Sequence, residues 1–168
     1  GLGHQLREGR DAVVALEDNQ MPADLSAPPL PDMIAALAPD LPFAARLAFA
    51  NQWLLGRLIE SKLTDPSSNA LIRTTTAPTM LSGSIKDNVL PQRASAVVNF
   101  RIHPRDTFAE VTEHVSRVTR HVEGLTIEPY REGIVADPSP VSSIHSDAYR
   151  VLEAVAREAA GPGVPVAP

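Results

Sequence analysis

The stretch Ala94-Ser-Ala-Val-Val-Asn-Phe-Arg-Ile-His103 alternates between apolar and polar side chains. Successive side chains of a β-strand point to opposite sides, so this period of two predicts a half-buried strand. Its apolar side consists of Ala94, Ala96, Val98, Phe100 and Ile102. Its other side carries Asn99, Arg101 and His103, and we expect these three side chains to face outward.

A second strand is predicted upstream, where the run from Ala70 to Thr76 is rich in β-branched residues. The loop around Gly83 and Pro91 would allow the two strands to pair antiparallel. Downstream, Thr107-Phe-Ala-Glu110 is a capping-box pattern that predicts the start of a helix. Valines at helical spacing follow it: Val111, Val115, Val118 and Val122. We expect this helix to end at Gly124 and a short strand to follow over Leu125 to Tyr130.

Helices are also predicted on either side of this central region. A short one covers Asp11 to Asp18, a proline-rich connector follows over residues 20–31, and Met33 to Leu37 forms one or two turns. Asp40-Leu41-Pro42 has the pattern of an N-cap with proline in the first turn. A longer helix would then present Phe43, Leu47, Ala50, Leu54 and Leu58 on one face.

The last helix is predicted over Ser146 to Ala160, after the linker Asp137-Pro-Ser-Pro140. Together these elements predict an α+β fold: an antiparallel sheet of about four strands with helices on one face, ferredoxin-like in plan. A helical insertion over residues 32–63 extends it.

The composition excludes several functions. The 168 residues include 15 Lys and Arg against 20 Asp and Glu, a formal charge of −5, which argues against a nucleic-acid-binding surface. There are no cysteines, so thiol nucleophiles and Cys-ligated zinc are excluded and the redox compartment stays undetermined. The most apolar stretch, Leu41 to Ile59, contains Arg46 and Arg57 and is not expected to span a membrane. The localisation is left open.

Three motifs resemble one protein family: Arg73-Thr-Thr-Thr-Ala-Pro-Thr-Met80, Ser82-Gly-Ser-Ile-Lys-Asp-Asn-Val-Leu-Pro91 and Val98-Asn-Phe-Arg-Ile-His-Pro-Arg-Asp-Thr107. They are similar to the lid, or dimerisation, domain of the aminoacylase and carboxypeptidase family of co-catalytic zinc metallopeptidases. The carboxypeptidase S and N-acyl-amino-acid hydrolase branch is the most similar. The most specific part is the spacing of 13 residues between Asn88 and Arg101.

The resemblance implies a reaction and a role for two residues. Members of the family cleave an amide next to a free carboxylate, with two zinc ions held by a catalytic domain into which the lid is inserted. The zinc ligands would lie outside this chain, which alone would be inactive. Arg101 would bind the substrate carboxylate through two parallel hydrogen bonds, and Asn88 would add an amide donor. His4 is the candidate for the family's oxyanion-stabilising histidine, although its distance to Met21-Pro22 is shorter than in the family.

The resemblance also implies a domain organisation. Residues 1–10 would be a start of uncertain origin, such as a vector-derived or trimmed end, and residues 11–136 the lid, with the insertion at 32–63. Residues 137–168 would be a linker and a returning segment of the catalytic domain. The implied partners are a small N-acyl amino acid or peptide, the catalytic domain of the same parent chain, and a second copy paired through the lid.

Two other functions remain open. One is a non-catalytic dimerisation or interaction module that uses an open sheet edge. The other is a ferredoxin-like domain that binds a small ligand.

Four histidines give no metal site: His145-Ser-Asp147 opens a helix, His103 is interpreted as a surface strand residue, and His114 and His121 as solvated.

Overall fold

The computed structural model describes residues 2–84, 88, 93–130 and 136–168, with side chains from residue 9 onward except that of Pro66. Within these residues there are seven α-helices and two β-strands. The helices are α1 Leu2–Asp18, α2 Leu30–Leu37, α3 Phe43–Ala50, α4 Gln52–Lys62, α5 Pro66–Asn69, α6 Phe108–Val118 and α7 Asp147–Ala160. The strands are β1 Thr75–Ser82 and β2 Ser95–Arg101. The α+β class predicted from the sequence is confirmed.

The chain forms two compact units. One, the sheet unit, consists of Gly1–Pro22 and Arg73–Pro138, and holds α1, both strands and α6. The other, the helical unit, consists of Ala23–Ile72 and Ser139–Pro168, and holds α2 to α5 and α7.

The two strands of the sheet unit pair antiparallel, as predicted, with Thr75 opposite Arg101 and Ala77 opposite Asn99. The register shifts between Pro78 and Met80, so one extra residue of β1 lies against β2 there. Before that bulge, the outer face of the sheet carries Thr75, Ala77, Asn99 and Arg101.

The inner face of the sheet packs against α1 and α6. The buried residues at the centre are Leu16, Met21, Val111 and Val115, and Val98, Phe100, Ile102 and Val118 pack around them. Three of the five apolar residues predicted for the inner side of the strand thus contact this core. Burial of these apolar surfaces supplies the main free energy that holds the helices against the sheet.

The helical unit has a core of its own. Leu25, Leu30, Ile59 and Ile72 are buried in it, and Ala48 and Phe49 of α3 pack against them. The backbone N–H of Asp24 donates to the carbonyl oxygen of Ile72 at 2.7 Å, which joins the two ends of the segment that α2 to α5 occupy.

The capping box predicted at the start of α6 is present. Thr107 Oγ1 accepts a hydrogen bond from the backbone N–H of Glu110 at 3.2 Å, and Glu110 Oε2 accepts one from the backbone N–H of Thr107 at 2.7 Å. Both bonds satisfy N–H groups that have no partner inside the helix.

We expect Thr107→Ala to lower the free energy of unfolding by about 1 kcal/mol, because one helix N–H loses its acceptor. Urea unfolding followed by circular dichroism measures this change. Ser116→Ala is the matched control, since its hydroxyl donates only to the Thr112 carbonyl within the exposed part of α6. An equal loss in both variants would mean that the cap contributes nothing specific.

Two helix predictions for residues 40–58 were wrong. The long helix over residues 43–58 is broken at Asn51, whose side chain donates to the Leu47 carbonyl at 2.8 Å and competes with the backbone. Its predicted stripe is exposed at Phe43, Leu47, Leu54 and Leu58. Asp40 is not an N-cap: it lies in a 3₁₀ turn, Ala38–Asp40, and α3 begins after Pro42 without a side-chain cap.

Helix α6 ends before Gly124. Its last residue is Val118, and Thr119 donates its hydroxyl to the Val115 carbonyl at 2.7 Å, while Gly124 has a positive φ of 71° in the following turn. Helix α7 begins after its predicted cap, where Ser146 Oγ accepts from the Tyr149 N–H at 3.2 Å. Gly161 follows α7 with a φ of 85°.

The strand predictions require two corrections. The first strand begins at Thr75, because residues 70–73 continue the turns that follow α5; the N–H groups of Leu71 and Ile72 bond back to Ser68 and Asn69. Leu125 to Tyr130 is not a strand, and its side chains are exposed at Leu125, Ile127 and Tyr130. The described residues therefore hold two strands where about four were predicted.

Candidate functional site

Arg101 is the last residue of β2 and its side chain is exposed. It lies on the outer face of the sheet, directly opposite Thr75 and on the same side as Asn99. Within the described residues its guanidinium has no hydrogen bond and no ion pair. No residue that the structure describes therefore occupies the five N–H donors of this group.

A buried polar network lies immediately after Arg101. Thr74 is 0% exposed and donates its hydroxyl to Asp106 Oδ2 at 2.6 Å, and the backbone N–H of His103 donates to Thr74 Oγ1 at 2.9 Å. The backbone N–H of Asp106 donates to the His103 carbonyl at 2.8 Å, which closes a turn. The residue before β1 and the turn after β2 are thus tied together beneath the Arg101 end of the sheet.

An ion pair completes this network. Arg105 Nε donates to Asp106 Oδ1 at 2.9 Å, so both carboxylate oxygens of Asp106 are engaged. The carboxylate is 4% exposed, and a buried charge is retained only when it is paired and hydrogen-bonded. The turn that separates Arg101 from α6 is therefore rigidly held.

The histidine predictions were wrong at two positions. His103 is 3% exposed and not a surface residue; its Nδ1 accepts from the backbone N–H of Arg105 at 3.4 Å. His114 is 5% exposed and not solvated. His121 is exposed, as expected. His145 lies just before the N-cap Ser146, so His145-Ser-Asp147 opens a helix as predicted.

Asn88 and His4 are described only in part. Asn88 lies in a turn and is exposed, while residues 85–87 and 89–92 on either side lie outside the described residues. His4 belongs to α1 by its backbone, and its side chain lies outside the described residues. The assignment of Asn88 and Arg101 to one carboxylate therefore stays a prediction.

The described part of the chain contains no group of three or more His, Asp or Glu side chains that could hold a metal ion. In the same part of the chain, no helix has both the length and the apolar character needed to cross a membrane.

Sequence patterns missed the Thr74–Asp106 network. In the sequence, Thr74 is one of several β-branched residues in a predicted strand. Asp106 precedes a predicted helix cap, where an acidic residue is common. A hydrogen bond between residues 32 positions apart has no local signal in the sequence.

Within the described residues, these observations define the class of protein: an α+β domain in which a two-stranded sheet presents, on its outer face, an arginine without a hydrogen bond or ion pair. Residues 8–124 match the peptidase dimerisation domain of the M20 peptidases, and the chain belongs to this family. The resemblance inferred from the three sequence motifs is confirmed.

Three curated relatives indicate the branch of the family to which the chain is similar. The N-fatty-acyl-amino acid synthase/hydrolase PM20D1 of Xenopus tropicalis is 37% identical over 161 residues, which cover 94% of this chain and 30% of that protein. The human protein of the same name is 36% identical over 132 residues, with coverages of 78% and 26%. The probable carboxypeptidase S-like 2 of Dictyostelium discoideum is 36% identical over 109 residues, with coverages of 64% and 20%.

The chain thus spans less than a third of the length of each of these relatives. Its relatives are hydrolases by name, which supports a parent protein of the peptidase family. No solved structure matches the chain.

Proposed function

We propose that this chain is the lid domain of a hydrolase that cleaves an amide bond next to a free carboxylate, and that Arg101 binds this carboxylate. The observation that carries the proposal is the exposed guanidinium at the end of β2, which pairs with no residue that the structure describes. Two relatives are named N-fatty-acyl-amino acid synthase/hydrolase and probable carboxypeptidase S-like 2, and N-acyl amino acids and the peptides that a carboxypeptidase cleaves both contain such a carboxylate.

The role of Arg101 follows from the chemistry of its side chain. A guanidinium donates two parallel hydrogen bonds to a carboxylate, which fixes both the position and the orientation of the bound group. The backbone next to Arg101 is held by Thr74 and Asp106, so this backbone loses little conformational freedom when the substrate binds. Asn88 would donate its amide N–H to the same carboxylate, and His4 would stabilise the oxyanion.

The metal chemistry belongs to the rest of the parent protein in this proposal. M20 peptidases are generally zinc-dependent, and the two zinc ions would be bound by residues outside this chain. The residues of this chain would bind and orient the substrate, and the chain alone would not hydrolyse it.

The domain boundaries are part of the same proposal. Residues 11–136 would form the lid, with the insertion at 32–63, after a start at residues 1–10. Residues 137–168 would lead back into the catalytic domain, which would be the partner of the lid across the substrate cleft.

The proposed reaction is tested by measuring amino-acid release by the parent protein from a panel of N-acyl amino acids and dipeptides. We expect hydrolysis of compounds with a free carboxylate, loss of activity with a chelator, and recovery with added zinc. The matched control is the same compound with its carboxylate converted to a primary amide. Equal hydrolysis of the acid and the amide would contradict the proposed specificity.

A second candidate function is homodimerisation through the sheet. Both strands of the described sheet have an open edge, and Met80 and Leu81 are exposed at the end of β1. Unpaired strand edges with apolar side chains are surfaces on which a second copy can add its own strand.

We expect Leu81→Lys to weaken a dimer of this chain, because a charge would have to be buried when the edges pair. Sedimentation equilibrium over a range of concentrations measures the effect. Leu152→Lys on α7 is the matched control, since Leu152 is 69% exposed and Leu81 is 72% exposed. A monomer at all concentrations, or equal weakening by both variants, would exclude pairing through this edge.

A further inference from the structure

A cleft in the sheet unit contains charged side chains of both signs. It is an open space of about 650 Å³ between the end of α1 and the exposed side of α6. Glu17, Asp18, Arg73 and Arg117 line it, together with His114. We call it the α1–α6 cleft.

The two arginines of the cleft have most of their donors unused. Arg73 Nη1 donates to the Met21 carbonyl at 3.3 Å, and Arg73 Nε is buried without a hydrogen-bond partner. Arg117 Nη2 donates to His114 Nδ1 at 2.9 Å. Within the described residues neither guanidinium forms an ion pair. Each group has five N–H donors, so both can still bind an oxyanion.

His114 holds Arg117 in this position. Arginine acts only as a donor, so His114 Nδ1 must accept, and the proton of the neutral ring lies on Nε2. His114 Nε2 then donates to the Asn19 carbonyl at 2.7 Å. The buried ring therefore connects α6 to the residue that follows α1 and supplies no charge of its own.

The acidic side chains of the cleft restrict the kind of ligand that fits. Glu17 and Asp18 are exposed and have no ion pair among the described residues. Two cations and two anions thus line one cleft without pairing with each other. A simple anion would be attracted by the arginines and repelled by the carboxylates, whereas a molecule with a separate carboxylate and ammonium group matches both.

We propose that the α1–α6 cleft binds the zwitterion of a free α-amino acid. Arg73 and Arg117 bind its carboxylate, and Glu17 and Asp18 accept hydrogen bonds from its ammonium group. The site uses neither Arg101 nor Asn88, and its test measures binding, so its outcome is independent of the proposed reaction.

The test is isothermal titration calorimetry of the 168-residue chain with leucine. N-acetyl-leucine lacks the ammonium group, leucinamide lacks the carboxylate, and acetate is a simple anion. We expect saturable binding of leucine, at least tenfold tighter than that of each of the other three compounds. Absence of saturable leucine binding would overturn the proposal, and so would equal affinity for N-acetyl-leucine or acetate.

Two variants separate the two halves of the site. Arg117→Gln and Glu17→Gln are each expected to weaken leucine binding at least tenfold, while Glu17→Gln leaves the weak binding of N-acetyl-leucine unchanged. Arg120→Gln is the control, because Arg120 is exposed and does not line the cleft. Circular dichroism of each variant establishes that it is folded. Unchanged leucine affinity in both folded variants would refute the assignment.

Discussion

Replacing Arg101 with alanine in the parent enzyme is expected to lower kcat/KM for N-acyl amino acids at least 100-fold. In the proposed function the variant would lose two charge-assisted hydrogen bonds to the substrate carboxylate, and a 100-fold loss corresponds to about 2.7 kcal/mol of transition-state stabilisation. The fold should be retained, because the Arg101 side chain is exposed and forms no hydrogen bond or ion pair with the described residues.

The decisive measurement compares two substrates in both enzymes. The unchanged enzyme should prefer the free acid to the corresponding amide, and the Arg101→Ala variant should lose this preference while its rate with the amide stays nearly constant. Arg101→Lys retains the charge but not the planar fork, so only part of the activity should return. Arg120→Ala serves as the control for a general loss of positive charge. If the Arg101→Ala variant still preferred the acid, Arg101 would not be the residue that binds the substrate carboxylate.

Replacing Asp106 with alanine is expected to have the largest effect on stability, a loss of about 3 kcal/mol in the free energy of unfolding. The Thr74 hydroxyl loses its acceptor, Arg105 Nε loses its hydrogen bond to Asp106, and the buried Thr74 hydroxyl has no access to water. Removing one partner of a buried ion pair costs far more than removing an exposed pair. Chemical unfolding followed by circular dichroism measures the loss.

Asp11→Ala is the matched control for this variant. Arg10 and Asp11 form an ion pair between adjacent residues at the same distance of 2.9 Å as Arg105 and Asp106. The side chains of Arg10 and Asp11 are 72% and 46% exposed, however, against 32% and 4% for Arg105 and Asp106. We expect Asp11→Ala to change stability by less than about 0.5 kcal/mol. Similar losses in the two variants would mean that burial of the Asp106 network contributes no additional stability.

The same buried network links the two predictions. Asp106 fixes the turn after β2, and Arg101 is the last residue of that strand. A folded but destabilised Asp106→Ala enzyme should therefore also bind substrate less well, and its loss should be smaller than that of Arg101→Ala because the guanidinium itself remains.

Elements with a strong local signal were predictable from the sequence. The alternation in β2 correctly predicted that Val98 and Phe100 pack inward and that Arg101 faces outward. The capping box of α6 and the Ser146 cap of α7 were predictable for the same reason, since each depends on hydrogen bonds between residues three positions apart.

Elements that depend on contacts with residues far away in the sequence were not predictable from it. Leu125 to Tyr130 has strand-like composition, but the described residues provide no neighbouring strand for it, and an extended segment without a partner gains no ladder hydrogen bonds. The burial of His103 and His114 was missed because it depends on the contacts that the packed sheet unit creates around them.

The sequence by itself determined the α+β class, the outward direction of Arg101, the caps of α6 and α7, and membership of the peptidase dimerisation family. Periodicity, capping and family motifs are properties of neighbouring residues along the chain, so they can be recognised without a structure. The tertiary structure alone decided the Thr74–Asp106 network and the grouping of charged side chains in the α1–α6 cleft. Both depend on folding, which brings residues from distant parts of the chain together and removes some of them from water.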